Sequence, residues 1–295
     1  MIPKEIIKKI KKIEIYTNRV VTEQLAGQYQ SAFKGKGLNF RDVRKYIPGD
    51  DIRDIDWKVT ARTREPYIRQ YTEERELTVN IVVDISNSGV FGSLDTSKFE
   101  RMAEIASMFA FSAIKNNDKV GLILFSNKIE KYIPPKKGKK HVLNIISQIL
   151  TFKPEEKGTS IDNALKFFAS VNKKSTVAFL ISDFFDETDY DKSLKVVNRL
   201  HDIIPVIIRD PLEENLIKMG VVNFLDPETD EIISINTNDK VLIRNYNAYV
   251  EAENKNLATK FKKLSIEAIN INMNTSYIES VVYFFKKRAS KKRRR

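Results

Sequence analysis

The chain has 295 residues, of which 42% are hydrophobic, and its formal net charge at pH 7 is +12. This length and apolar content allow a substantial buried core and exclude a wholly disordered protein. The sequence has no cysteine, which excludes disulfides, thiol nucleophiles and zinc–thiolate sites and fits a reducing compartment. Only His141 and His201 could serve as histidine catalysts, and no G-x-S-x-G motif accompanies them, so Ser–His–Asp hydrolase chemistry is disfavoured.

Most of the positive charge lies at the carboxyl terminus. Residues 286–295 carry eight positive charges, and removing these from the net +12 leaves +4 for the rest of the chain. Residues 288–295 are therefore predicted to form a solvated, disordered basic tail. The alternative is weak, salt-dependent contact of this tail with nucleic acid or anionic lipid.

The amino terminus is a poor signal peptide. Met1–Ile10 alternates apolar residues with lysine at helical spacing and lacks both an uninterrupted apolar stretch and a small-residue cleavage site. Apolar runs such as Val120–Phe125 and Thr176–Ile181 are too short to span a bilayer. We therefore expect a cytoplasmic protein without a transmembrane segment.

In chain order, residues 1–24 have helical apolar spacing, whereas residues 26–77 are rich in Gly, Arg, Asp and Tyr and are predicted to be mainly extended. From Leu77 onward, apolar strands alternate with amphipathic helices. The predicted strands are Thr78–Asp84, Lys119–Phe125, an edge strand Lys128–Ile133, Thr176–Ser182 and Ile203–Ile208. The predicted helices are one that follows a capping box at Ser97–Glu100, then His141–Leu150, Ile161–Val171 and Asp191–Leu200. This pattern predicts a doubly wound α/β fold whose mostly parallel sheet is covered on both faces.

The pattern changes after Asp210-Pro211. The remaining predicted elements are a hairpin of Val221–Leu225 and Glu231–Asn236, a helix Val241–Leu264, a strand Ala268–Met273 and an amphipathic segment Tyr277–Phe285. We therefore divide the chain into three parts. Residues 1–76 form an amino-terminal helix and an extended or β region packed on the core. Residues 77–287 form the α/β domain with a hairpin insertion near 221–237, and residues 288–295 form the tail.

Polar side chains follow the ends of two predicted core strands. Asp84 ends one strand and is followed by Ser86 and Ser88, while Asp183 ends another strand and Thr159 precedes a helix. Ligands of doubly wound sheets bind outside the carboxyl ends of the strands, so these five side chains are expected to converge. Two carboxylates and three hydroxyls are hard oxygen ligands, which predicts a site for Mg²⁺ or Mn²⁺.

Such a site favours binding over catalysis. Two carboxylates only balance the charge of a divalent cation, so the cation keeps exchangeable water and can accept an acidic side chain of a protein partner. The competing interpretations are ordinary turn and N-cap residues, and a metal-dependent enzyme acting on phosphate esters. Aspartyl-phosphate transferases place a second Asp two residues after the nucleophile, where this chain has Ser86. A non-enzymatic protein-binding module is therefore the leading hypothesis.

The motif Asp84-x-Ser86-x-Ser88, together with Thr159 and Asp183, resembles the metal-ion-dependent adhesion site of von Willebrand factor A domains. The chain from about residue 26 to residue 287 is similar to a bacterial family known as domain of unknown function 58. The matching stretches are Gly35–Lys58, Thr60-Ala61-Arg62, Glu73-Glu74-Arg75, Ser182-Asp183-Phe184, Asp210-Pro211 and Asp226-Pro227-Glu228-Thr229.

This resemblance implies a von Willebrand factor A-like fold. It also implies metal contact by the two serines and Thr159, with the aspartates acting directly or through water. Members of the family are often encoded beside MoxR-type AAA+ ATPases, which implies such an ATPase as a partner. One departure is visible, because Gly89 follows the last motif serine where Met is common. That change leaves the ligands intact and puts the packing of the loop in question.

The segment Gly35–Arg75 alternates acidic and basic residues around Trp57, the only tryptophan. One interpretation is an ion-pair and hydrogen-bond network that pins this segment to the core, with Trp57 as its apolar anchor. The other is a partner-binding face that uses Trp57, Arg53 and Arg62, because Trp and Arg are frequent hot-spot residues of interfaces.

Overall fold

The computed structural model describes residues 4–33, 39–72, 76–86, 97–154, 158–186, 188–225 and 232–293. The first elements are α1 (Lys4–Val20), a π-helical turn (Val21–Leu25), α2 (Ala26–Phe33), β1 (Asn39–Lys45), a 3-10 turn (Ile52–Asp54), α3 (Trp57–Thr63) and β2 (Tyr67–Thr72). The elements that follow are β3 (Thr78–Asp84), α4 (Lys98–Lys115), β4 (Lys119–Phe125), β5 (Ile129–Lys136), α5 (Lys139–Thr151), α6 (Ile161–Val171), β6 (Val177–Ser182), α7 (Asp191–Leu200), β7 (Asp202–Arg209), α8 (Pro211–Glu214), β8 (Val221–Leu225), β9 (Ile232–Asn236), α9 (Lys240–Lys263), β10 (Ile269–Asn272) and α10 (Tyr277–Arg293).

The central sheet has the strand order β10-β7-β6-β3-β4-β5 within the described residues. Neighbouring strands are parallel except for the antiparallel pair β4 and β5. Numbered by their sequence order, these strands read 3-2-1-4-5-6 across the sheet, which is an order of doubly wound folds. The predicted fold class, a mostly parallel doubly wound α/β sheet, is confirmed. The strand order reverses between the parallel neighbours β3 and β6, and such sheets bind ligands at that point.

Alternating side chains of the strands divide the core into two layers. Val79, Ile81 and Val83 face a layer built mainly by α1, α2, α4, α5 and α10. Val82 and Leu180 face the other layer, which contains α6, α7 and α9. Both faces of the sheet are thus covered, which is why the strands read as unbroken apolar runs in the sequence.

The first two helices belong to the main core. Leu25, Tyr29 and Phe33 repeat at helical spacing and are buried in the same layer as α4 and α10. The Tyr29 hydroxyl donates to Asp118 Oδ2 at 3.2 Å, and Asp118 Oδ1 accepts from the Leu77 amide at 2.9 Å. The prediction of a helix in residues 1–24 is confirmed for the described residues. The prediction of extended structure from residue 26 is wrong for α2 and α3.

Strands β1 and β2 form a separate antiparallel ribbon, with the 3-10 turn and α3 between them. Its charged side chains pair locally, since both Arg44 Nη atoms donate to the Asp50 carboxylate at 2.7 and 2.6 Å. Trp57 is 68% exposed at the start of α3. The interpretation of Trp57 as a buried anchor is therefore wrong, because the ring lies on the surface.

The carboxyl-terminal elements agree with the sequence except at the tail. Strands β8 and β9 form the predicted antiparallel hairpin, whose turn lies outside the described residues. Helix α10 continues to Arg293, so the prediction of disorder from residue 288 is wrong for residues 288–293. The reason is that Arg288 pairs with Asp202 and Lys291 pairs with Glu267, which fixes the helix on the domain. Within the described parts of the chain, every helix is too short or too polar to span a bilayer.

Candidate functional site

The predicted site residues lie at the carboxyl ends of the central strands. Asp84 ends β3, Ser86 lies in the turn after it, and Asp183 follows β6, which neighbours β3. The loop of Thr159 reaches the same edge, because the Ser160 amide donates to the Ser126 carbonyl, just after β4, at 2.9 Å. Ser88 lies outside the described residues. The structure therefore places both aspartates where the strand order of the sheet reverses. Two of the predicted hydroxyl residues, Ser86 and Thr159, lie at the same edge of the sheet.

Asp84 is buried and is held by hydrogen bonds from Ser86 and Ser182. Its Oδ1 accepts from the Ser86 amide at 3.0 Å, and its Oδ2 accepts from the Ser182 hydroxyl at 2.7 Å. Burial, and then the negative charge of Asp183, raises the pKa of Asp84 to about 7. The raised pKa shows that the negative charge at this carboxyl is incompletely balanced by its surroundings.

The backbone after β6 makes a sharp turn that positions Asp183. Phe184 has a φ of 60°, which is left-handed and uncommon for a bulky residue. The Ser182 hydroxyl stabilises this turn by accepting from the Phe184 amide at 3.0 Å, and Asp183 Oδ1 accepts from the Phe185 amide at 3.2 Å. Strained backbone of this kind concentrates at functional sites and persists only where the surroundings enforce it.

A lysine that the sequence analysis did not single out completes the cluster. The Lys98 ammonium donates to Asp183 Oδ2 at 2.9 Å and to Glu213 Oε1 at 2.6 Å, and its side chain is 0% exposed. Burial alone would lower the pKa of Lys98, but Asp183 and Glu213 together raise it, so the ammonium is charged. A local signal did exist. Lys98 is the first residue of α4, where the helix dipole disfavours a cation unless specific acids surround it.

Arg209, at the end of β7, supplies a second buried cation. Its Nε donates to the Asp183 carbonyl at 3.2 Å, and its guanidinium lies 4.3 Å from the centre of the Phe185 ring. Burial lowers the pKa of Arg209, and Asp183 opposes this effect. Nearby, Asp210 caps α8 through a full capping box with Glu213, which fixes the helix that carries the second partner of Lys98. We call Asp84, Ser86, Lys98, Asp183, Arg209 and Glu213 the edge cluster.

The donor set of the edge cluster fits a divalent cation in kind. Asp84, Asp183 and two hydroxyl residues offer hard oxygen atoms, and the raised pKa of Asp84 shows that a further positive charge would be favourable. Lys98 is the competing feature, because its ammonium already occupies Asp183 Oδ2. Two like unit charges about 4 Å apart repel by about 4 kcal/mol at an effective dielectric constant of about 20, and the repulsion doubles for a divalent ion. In its present position, Lys98 would therefore repel a cation bound at Asp183 Oδ2.

Other metal chemistry finds little support at this edge. Among the described residues, no three His, Asp or Glu side chains gather closely enough to hold an ion. His201 lies elsewhere, against the ring of Phe168. A metal site formed by Asp84, Asp183 and the neighbouring hydroxyl residues therefore stays a prediction from the sequence.

The residues predicted for a partner face lie apart from the edge cluster, on the ribbon. Trp57 and Arg62 are exposed on α3, and the Arg53 side chain is 90% exposed on the 3-10 turn. The α3 helix itself is set by Asp56, whose side chain accepts from the Lys58 and Val59 amides. The acidic residue of this helix start therefore acts as a cap, which leaves an aromatic and basic outer surface.

Comparison with known proteins gives a family and several relatives. The family model described as "Protein of unknown function DUF58" matches residues 42–256. An uncharacterized protein of Mycobacterium tuberculosis is 24% identical over 277 residues, covering 93% of this chain and 87% of its own length.

Two solved structures illustrate the structural similarity. An aerotolerance-related membrane protein from Bacteroides fragilis has a TM-score of 0.49 at 16% identity and covers 73% of this chain and 99% of its own. A von Willebrand factor type A structure from Catenulispora acidiphila has a TM-score of 0.35 at 11% identity and covers 48% of this chain and 35% of its own.

Proposed function

We propose that this chain, which belongs to the DUF58 family of proteins of unknown function, is a non-enzymatic module that binds a protein partner through the edge cluster. The residues that match the family model contain the whole edge cluster. The ligand on the partner would be an acidic side chain. The interaction would depend on Mg²⁺ or Mn²⁺ held by Asp84, Ser86, Ser88, Thr159 and Asp183.

The observation that supports this proposal is that Asp84 and Asp183 lie at the carboxyl ends of the neighbouring strands β3 and β6, where the strand order reverses, and interact electrostatically. Burial raises the pKa of Asp84 to about 7, and the negative charge of Asp183 adds to that effect. A bound divalent cation would relieve the repulsion and offer an open position to an incoming carboxylate. The side chains of the protein would supply the geometry of the site. Ser182 and the Ser86 amide orient Asp84, and the Phe185 amide orients Asp183.

Binding of Mn²⁺ to the full chain, followed by titration calorimetry, tests the proposal. We expect one site whose affinity falls by about tenfold or more in Asp84→Asn, which keeps the shape of the side chain and removes a charged ligand. The matched control is Asp239→Asn, because Asp239 caps α9 outside the edge cluster. If the native chain and Asp84→Asn bind Mn²⁺ equally, the proposed metal site is refuted.

The partner class that we propose is a MoxR-type AAA+ ATPase or a client of such an ATPase. This part of the proposal is supported only by the resemblance between the chain and its family. A co-purification experiment with and without a metal chelator tests it, and retention of the ATPase in chelator, or in Asp84→Asn, would contradict a metal-dependent interface. A cytoplasmic location, and contact of the tail with nucleic acid or lipid, stay predictions from the sequence.

We further propose that the ribbon provides a second contact with the partner through Trp57, Arg53 and Arg62. The supporting observation is that a large aromatic side chain is 68% exposed on α3, which also carries the exposed Arg62. Exposed tryptophan and arginine in one patch are typical of interface hot spots. The ribbon would then help to select the partner, whereas the edge cluster would provide the metal-dependent attachment.

A further inference from the structure

Lys98 is placed where it competes directly with a cation at the edge cluster. Its ammonium lies 2.9 Å from Asp183 Oδ2, one of the oxygens that the proposed metal would need, and no part of its side chain reaches solvent. A buried lysine with no accessible surface has no water to replace a lost partner. Its position is therefore coupled to whatever else binds Asp183.

Glu213 is a second ion-pair partner of Lys98. The Glu213 carboxylate lies 2.6 Å from the ammonium and is 17% exposed, so it is nearer the rim than Asp183, which is 1% exposed. Helix α8 holds Glu213 by its capping box with Asp210. If Lys98 moves away from Asp183, it can thus remain paired with Glu213, so that its positive charge is not left buried without a partner.

We propose that Lys98 is an internal counter-ion of Asp183 that a divalent cation must displace, so that metal loading and the Lys98–Asp183 pair exclude one another. This inference rests on the proposed metal-dependent function. It explains how two neighbouring buried carboxylates are tolerated when no cation is bound. It also predicts a weakened metal affinity in the native chain, because each binding event includes breaking a buried ion pair.

Mn²⁺ affinity of the full chain, measured through the electron paramagnetic resonance signal of free Mn²⁺, tests the inference. We expect Lys98→Met to bind Mn²⁺ about tenfold more tightly than the native chain. The matched control is Lys115→Met, which changes the same helix and the same net charge at an exposed position. Its affinity should equal that of the native chain. In Lys98→Met/Asp84→Asn the gain should disappear, which places the tighter site at the edge cluster.

The outcomes separate the inference from the function on which it rests. Equal, Asp84-dependent affinities in the native chain and Lys98→Met would overturn the competition and leave the metal site standing. Absence of Asp84-dependent binding in both proteins would overturn the metal site itself. If Lys98→Met does not fold, Lys98→Met/Glu213→Gln takes its place, because it removes one buried acid together with the buried base. The same tenfold gain is then expected, and an unchanged affinity would again overturn the inference.

Discussion

The edge cluster and the ribbon contain similar kinds of charged residues but use them in opposite ways. At the edge, Lys98 pairs with acids that lie 85 and 115 positions away in sequence, and the ammonium is fully buried. In the ribbon, the half-buried Arg44 pairs with Asp50 only six positions away, and Trp57 on α3 is exposed. Fully buried pairs are costly to break, whereas pairs nearer the surface contribute less to stability.

This difference indicates separate roles for the two regions. Charges that are buried and paired across the fold fix one geometry at the edge, which is what a site for an ion requires. The Arg44–Asp50 pair, by contrast, joins two residues of the ribbon itself. The apolar and basic surface of the ribbon then stays available for a partner.

The largest expected effect is on stability at the edge. Removing the ammonium in Lys98→Met leaves Asp183 and Glu213 without their buried counter-ion, so we expect a loss of about 3–5 kcal/mol in the free energy of unfolding without metal. Urea denaturation followed by circular dichroism measures it. Lys115→Met, which removes an exposed lysine, should stay within about 0.5 kcal/mol of the native chain. A loss of similar size in both variants would mean that the edge pair is no more important than a surface one.

A smaller effect is expected where the amino-terminal helices join the core. Tyr29→Phe removes the hydroxyl that donates to Asp118, while the buried ring and its edge-to-face contact with Phe285 remain. We expect a loss of about 1–2 kcal/mol, since a buried acceptor loses one donor. The same urea measurement applies. Tyr16→Phe, at an exposed position of α1, is the control. No loss in Tyr29→Phe would place α2 outside the cooperative core.

The sequence predicted the fold well because the strands carry their own signal. The bounds of β4, α6 and α7 agree with the prediction residue by residue, since apolar runs and helical spacing mark them locally. The positions of Asp84 and Asp183 also followed from one rule about where parallel strands end. The bounds of these elements follow from short stretches of sequence. The positions of the two aspartates follow from the parallel sheet that those stretches predict.

What the sequence did not predict depends on contacts between distant residues. Helix α2 contains Gly27 and several polar residues, and its apolar positions acquire meaning only when they meet α10 and the sheet. The helical end of α10 likewise depends on acids at positions 202 and 267. Lys98 is the clearest case, because its position at the start of α4 signals the need for nearby acids but does not identify Asp183 and Glu213, which lie 85 and 115 positions away.

The smallest expected effect on stability belongs to the ribbon, and it comes with an effect on binding. Trp57→Ala removes a ring that is 68% exposed, so the free energy of unfolding should change by less than about 0.5 kcal/mol. If the ribbon is a contact face, the same variant should weaken partner binding by about 2 kcal/mol, roughly thirtyfold in Kd, because exposed tryptophans often anchor interfaces. Tyr283→Ala is the matched control, since Tyr283 is an equally exposed aromatic residue on α10, at 67%. Surface plasmon resonance against the co-purified partner measures both variants. Equal affinities for Trp57→Ala and Tyr283→Ala would remove the ribbon from the interface, and the edge cluster would then have to provide the selectivity alone.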